Sequence, residues 1–347
     1  MGPVLFLLIL LSLLNSLSLS APYSSDWESF HQYTIDYSKP YINDTDHLIY
    51  RFKVFQESLL RHKRLNEYES QNGGHATYGV NKFSDLTPEE FANTYLLYRP
   101  SAPPLNDKIS TSFIAESPSV VADPVTFDWR DKNVLTSIKN QQKCGSCWAF
   151  SVVEVLESRL AIQTGQSPVS LSVQEVISCE YYPDQELNGC SGGALYYAFK
   201  RLHDEGRVIV SDSVYPFASS DGNTKTCRQN LPQQGVVLKE YNYTSDIDEN
   251  VMVQYVLRNG PTSNSVNAAM WQDYSSGIIQ HHCTSTPLDH AIQVIGYNLD
   301  NNPVPYWIVR NTWGSDWGEG GYVRLKFGEN TCGLAAEVVT VWNVTSV

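Results

Sequence analysis

Between Trp27 and Glu69 the chain carries two polar segments with an apolar period, WESFHQYTIDYSKPY and LIYRFKVFQESLLRHKRLNEYE, in which Phe52, Phe55, Leu59 and Leu65 recur near 3.6-residue spacing. That spacing predicts helices with one buried face. From Arg99 to Pro124 the period disappears and Pro and Ser dominate, which predicts an extended, accessible linker and a boundary near Asp123. Cys147 to Thr164 then predicts a helix stopped by Gly165. Ser172 with Glu175 gives a capping signal ahead of VQEVISC, and Ala194 to Glu205, stopped by Gly206, predicts another helix. Beyond Pro261 the pattern changes. AIQVIGY, PYWIVRN, GYVRLKF and EVVTVWNV are β-branched and aromatic, with Gly, Asn and Asp between them, and so predict strands. Helices followed by strands predict an α+β body of two lobes with room for a cleft between them.

The 347 residues are enough for one large or two modest domains with buried cores. The opening MGPVLFLLILLSLLNSLSLSAPYSS places Ser18 and Ser20 after an apolar run, the pattern of a secretory signal cut near Ser20. The run is too short and serine-broken for a membrane span. A net charge of −13 argues against nucleic acid as a partner and leaves no basic patch for anionic lipid. It suits work in an acidic compartment, where protonation reduces self-repulsion. Three sequons, at Asn43, Asn242 and Asn343, fit the secretory route. So does the meaning of the seven cysteines: in an oxidising compartment thiols pair, and an odd number leaves one over.

The stretch NQQKCGSCWAF sets Cys144 and Cys147 three apart. A redox couple of this spacing belongs in a small βαβ domain, which is not the pattern here. A zinc site needs further thiols, and the nearest candidate cluster, His281, His282 and Cys283, lacks a second pair. Two thiols with separate jobs fit better. At the first turn of the predicted helix the Cys147 sulfur would meet the positive end of the helix dipole, which favours thiolate. A nucleophile of that kind needs a proton partner, and imidazole has the suitable range. His290, at the start of the predicted strand LDHAIQVIGY, can face it across the cleft. Asn311, at the end of WIVRN, can hold the imidazole, with Trp313 shielding that bond from water.

QQKCGSCWAF, LDHAIQVIGY and YWIVRNTWGSDWGEGGY resemble the papain-like cysteine proteases over nearly the whole chain. Cys147 and His290 stand within the family separation of about 130–150 residues, and Asn311 slightly beyond it. The resemblance implies the papain-like two-lobed fold, with a helical first lobe, a β-barrel-like second lobe and the active-site cleft between. It implies a cysteine endopeptidase with Cys147 as nucleophile, His290 as acid/base, Asn311 as its orienter, and Gln141 donating to the oxyanion beside the Cys147 N–H. It pairs Cys144 with Cys190, Cys179 with Cys227 and Cys283 with Cys332, leaving Cys147 free. Gly192 and Gly193 match the cleft wall that pairs with extended substrate, and Trp317 the aromatic wall on the leaving-group side. Ala194, Leu195, Ala291 and Glu337 surround the pocket for the second residue before the scissile bond; an acid at Glu337 implies tolerance of Arg beside Leu or Phe. The family's chain-trimming members carry an extra cleft-blocking loop or an insertion before the nucleophile, and neither is present here.

YGVNKFSDLTPEEF supplies Gly79, Asn81, Phe83 and Asp85, which match the motif of the family's inhibitory propeptides. In the preceding helix Arg51, Phe55 and Asn66 fit the family pattern, whereas His47, Ser58 and His62 depart from it. The division that follows is a signal peptide over 1–20, an inhibitory propeptide over 21–122 with cleavage near Asp123, and a peptidase domain over 123–347. The partners implied are protein and peptide substrates, the chain's own propeptide and cystatin-type inhibitors. No metal or cofactor is called for, a monomer is expected, and the destination is the lysosome or the extracellular space. A binding protein that keeps the fold without the activity would have lost a catalytic residue, and none is lost.

Overall fold

The computed structural model describes residues 22–100, 123–182 and 187–347. The signal segment and most of the predicted linker lie outside them. The chain opens with α1 (Pro22–Asp36), α2 (Thr45–Gln71), the two-residue strand β1 (Thr77–Tyr78) and α3 (Pro88–Tyr95). Asp44 caps α2 by accepting from the His47 N–H, and Thr87 with Glu90 forms a reciprocal capping box on α3. Phe30, Tyr33, Tyr41, Phe52 and Phe55 fill a small separate core. Asp85 organises it by accepting from Tyr33, Tyr41 and Lys39 at 2.7, 2.5 and 2.8 Å.

The body follows as β2 (Thr126–Asp128), α4 (Cys147–Thr164), α5 (Val173–Cys179), α6 (Leu195–Asp204), β3 (Val208–Ile209), β4 (Val236–Ser245), α7 (Glu249–Asn259), β5 (Thr262–Val266), β6 (Tyr274–Ser276), β7 (Ile278–Ile279), β8 (His290–Asn298), β9 (Tyr306–Arg310), β10 (Tyr322–Lys326) and β11 (Glu337–Ser346). The main sheet runs β3-β4-β11-β5-β8-β9-β10-β7, with β2 added beside β8. α4 is buried on nearly every side, as a helix apolar all round must be. It packs against α6 of the first lobe and against β5, β8 and β11 of the sheet, so both cores close around it. Gly165, at φ 65°, ends it in the left-handed conformation that costs glycine least.

Disulfides join Cys144 to Cys190, Cys179 to Cys227 and Cys283 to Cys332. Each closes a loop of nearly fifty residues, worth roughly 4 kcal/mol in the chain-entropy account. The helical leading unit is not a separate body. β1 pairs antiparallel with β6, and Asn81 Nδ2 donates to the Gln272 carbonyl at 2.8 Å while Gln272 Nε2 donates back to Phe83 and Leu86.

Candidate active site

Cys147 is the first residue of α4 and is fully buried; it is the one free thiol among the described residues. One turn further on, the Ser151 hydroxyl hydrogen-bonds the Ile292 carbonyl and meets the Ser263 hydroxyl, both at 2.6 Å. These bonds fix the first turn of α4 against β8 and β5. The start of β8 therefore lies beside the sulfur, and the backbone N–H groups of Ala291 and Trp148 face it. His290 is the first residue of β8, paired in register with Val266.

The His290 Nε2 and the Asn311 Oδ1 lie 2.8 Å apart. The same Asn311 oxygen accepts from the Thr312 N–H at 2.8 Å, which fixes the amide so that its oxygen faces the imidazole. His290 Nδ1 makes no hydrogen bond of ordinary geometry. The ring sits between indoles, with Trp313 at 4.7 Å and Trp271 at 6.3 Å, and all three side chains are buried. Gln141 is buried too: its N–H donates to the Thr312 carbonyl, its Oε1 accepts from the Thr312 hydroxyl at 2.8 Å, and its Nε2 donates to the Cys144 carbonyl at 3.1 Å. Thr312 thus holds both Asn311 and Gln141, a role invisible in its sequence neighbourhood.

The leading chain crosses this site. The Tyr98 N–H donates to the Asp289 carbonyl at 3.0 Å and the Arg99 N–H to the Gly193 carbonyl at 3.2 Å, with Tyr98 and Gly193 bridged in parallel. The wall demands glycine here: Gly192 has φ 106°, and a Cβ on it would lie 2.0 Å from the Leu97 carbonyl oxygen, while one on Gly193 would enter the Trp148 ring. Ala194, Leu195 and Ala291 are all buried, and Leu195 and Ala291 belong to the same apolar cluster as Tyr98. Glu337, the first residue of β11, accepts from the hydroxyls of Tyr98 and Tyr243. Trp317 is buried away from them, stacked on Trp271 and set edge-on against Trp313.

The expected thiolate is not present in this closed form. Burial pushes the Cys147 thiol up to about 12, against the lowering effect of the Ala291 and Trp148 N–H groups. Burial likewise pulls His290 down to about 4, although Asn311 and the Tyr95 backbone favour its charged form. A helix N-terminus contributes at most a couple of kcal/mol to an anion, which desolvation exceeds when the cleft is covered. The two groups stand neutral while the leading segment is in place.

A buried thiol at a helix start, an imidazole clasped by an amide and an aromatic cover are the parts of a cysteine peptidase held closed. The papain family cysteine protease pattern matches residues 123–342 and the cathepsin propeptide inhibitor domain matches residues 30–91. The chain belongs to the papain family of cysteine proteases and is a cysteine-type peptidase carrying its own inhibitory propeptide. It is 42% identical to cathepsin O of Homo sapiens over 291 residues, which cover 83% of this chain and 87% of that one. It is 34% identical to cysteine proteinase 1 of Dictyostelium discoideum over 84% of this chain and 85% of that one. Among solved structures, a digestive procathepsin L2 proteinase from Tenebrio molitor larval midgut superposes with a TM-score of 0.79 at 29% identity, over 92% of this chain and all of that one.

Proposed function

We propose that the protein is a lysosomal cysteine endopeptidase made as a zymogen through the secretory route, with residues 21–122 removed near Asp123 on activation. Once the leading segment leaves, water returns to the cleft and proton transfer from Cys147 to His290 gives a thiolate and an imidazolium. The thiolate attacks the scissile carbonyl carbon. The oxyanion is met by the Cys147 N–H and by Gln141 Nε2, freed from the Cys144 carbonyl. His290 then gives its proton to the leaving amine, and the acyl group stays on sulfur as a thioester. Water, losing a proton to His290, attacks that thioester and regenerates the thiol. Asn311 Oδ1 holds the ring throughout.

The observation that carries this reading is the His290–Asn311 bond, which holds Nε2 and leaves Nδ1 without a hydrogen bond of ordinary geometry, at the start of the strand that packs against Cys147. The reversed, parallel run of Leu97 to Arg99 past Gly193 supports inhibition by occupancy. Cystatin-type inhibitors and a monomeric mature enzyme belong to the same reading. Acid-processed protein should be labelled at Cys147 by an epoxide selective for activated thiols, Cys147→Ser should take up none, and the processed chain should begin near Asp123. Verified processing without labelling would sink the reading.

A further inference from the structure

The pocket that the propeptide fills is built around one carboxylate with one oxygen already committed. Tyr243, on β4, donates its hydroxyl to Glu337 Oε1 at 2.8 Å. Tyr98, from the leading segment, donates to Oε2. The Leu195 N–H, at the start of α6, reaches the Tyr98 hydroxyl oxygen at 3.4 Å. Glu337 is 6% exposed and Tyr98 5%, so this exchange of hydrogen bonds takes place out of water. Leu195 and Ala291 join Tyr98 and Tyr243 in one buried apolar cluster. The occupant is therefore a flat ring with a single donor at its tip, matched by a single acceptor below it and a backbone donor beside it.

Resting on the peptidase reading above, we infer that Tyr243 is a specificity-determining residue. By occupying one oxygen of Glu337 it leaves a single-acceptor pocket that selects tyrosine, over phenylalanine and over arginine, as the second residue before the scissile bond. The physical reason is an asymmetry. Phenylalanine fills the same volume but leaves the buried Oε2 without a donor, and an unpaired buried acceptor is costly, more so when charged. Arginine brings a fork of donors whose preferred partner is a carboxylate with both oxygens open; here Tyr243 holds one of them. Tyr98 shows the geometry with the chain's own tyrosine, run through the cleft in the direction opposite to an antiparallel substrate.

The test uses the processed enzyme and peptide substrates that differ only at the second residue before the cleaved bond: tyrosine, phenylalanine and arginine. Tyrosine should exceed phenylalanine in kcat/KM by about 10- to 100-fold, the range a hydrogen bond to a charged group supplies. Glu337→Gln should bring that ratio to within about threefold by removing the charge. Tyr243→Phe should raise arginine relative to tyrosine by about tenfold, because both Glu337 oxygens become open to the fork. Active-site titration with the epoxide counts folded, competent enzyme in every variant, so loss of all three activities together with labelling marks failure of the peptidase reading, not of this one. A readout independent of turnover is the full-length zymogen: Tyr98→Phe should process faster than the unaltered chain, since its propeptide leaves Oε2 unpaired. Equal rates on the tyrosine and phenylalanine substrates in the unaltered enzyme, or a ratio untouched by Glu337→Gln, would overturn the inference.

Discussion

At the scale of single residues, the catalytic candidates were legible because each sits in a local pattern that chemistry makes distinctive. Cys147 heads an apolar helix, His290 starts a strand, and Asn311 follows the last residue of one. Thr312 has no signal in its own sequence neighbourhood, since its work is done across 171 residues of chain. Its hydroxyl donates to Gln141 Oε1 and its N–H to Asn311 Oδ1, both at 2.8 Å. Thr312→Val keeps the shape and the N–H but removes the hydroxyl, freeing Gln141 to turn. Kinetics of the processed enzyme should show kcat reduced about tenfold with KM nearly constant, less than the 10²–10³ that loss of an oxyanion donor itself costs. Thr312→Ser should restore the rate. A fall in KM-dependent binding instead, or no rescue by Ser, would assign Thr312 a merely structural part.

Elements differ in how far their sequences announce them. α4 was readable end to end because its apolar composition and the Gly165 stop agree, and so were β8 to β11. β4 was not: VVLKEYNYTS buries three residues in a row and then breaks alternation, since its two ends serve different neighbours. It pairs with β3 at Val236 and Val237 and with β11 along its whole length. That pairing bears on the sequons. Asn242 lies opposite Thr340 of β11, is 4% exposed, and donates its amide to Thr244 and the Tyr255 hydroxyl at 3.2 and 3.4 Å. A glycan on that nitrogen would have to pass through packed side chains. Asn43, between α1 and α2, is exposed. Peptide mapping after enzymatic deglycosylation of the secreted zymogen should find Asn43 converted to aspartate and Asn242 unmodified; an occupied Asn242 would mean that β4 tolerates a gap that its burial denies.

For the whole molecule, carboxyls inside the body and at its seam with the leading unit are shifted in opposite directions. In the body Glu154, Glu175 and Asp289 are each pushed up to about 7, by burial first; Arg310 and Lys139 beside Glu154 only partly offset it, as do backbone N–H groups at Glu175 and Asp289. A carboxyl whose folded value is raised holds its proton better folded than unfolded, so its stabilisation is fullest in acid and fades as pH climbs toward about 7. The seam between leading unit and body is the reverse. Burial raises Asp273, but hydrogen bonds and charge from Arg61 and His62 outweigh it and hold the carboxyl below its ordinary value. That stabilisation is present above the unfolded carboxylate range and is lost below it, as pH falls through the lowered folded value. His62, a departure from the family pattern in the propeptide helix, is thereby explained as a docking residue. Further along the seam, His282 of the body lies 3.4 Å from Glu69 of α2, near Tyr68, Tyr78 and His281. Burial pulls His282 below its usual value despite Glu69, so protonation below about 6.5 opposes the docked form as well. Acid therefore loosens the inhibitor while strengthening the enzyme. Thermal unfolding of the processed enzyme should move to higher temperature between pH 7.5 and pH 5, and over the same interval and below it the zymogen's rate of self-processing should rise. Asp273→Asn should raise that rate at neutral pH and flatten its further rise below about pH 4, where the lowered carboxyl titrates, leaving the processed enzyme's own pH–stability curve unmoved. A curve that shifts with the substitution, or a rate that keeps its full rise below about pH 4, would place the switch elsewhere.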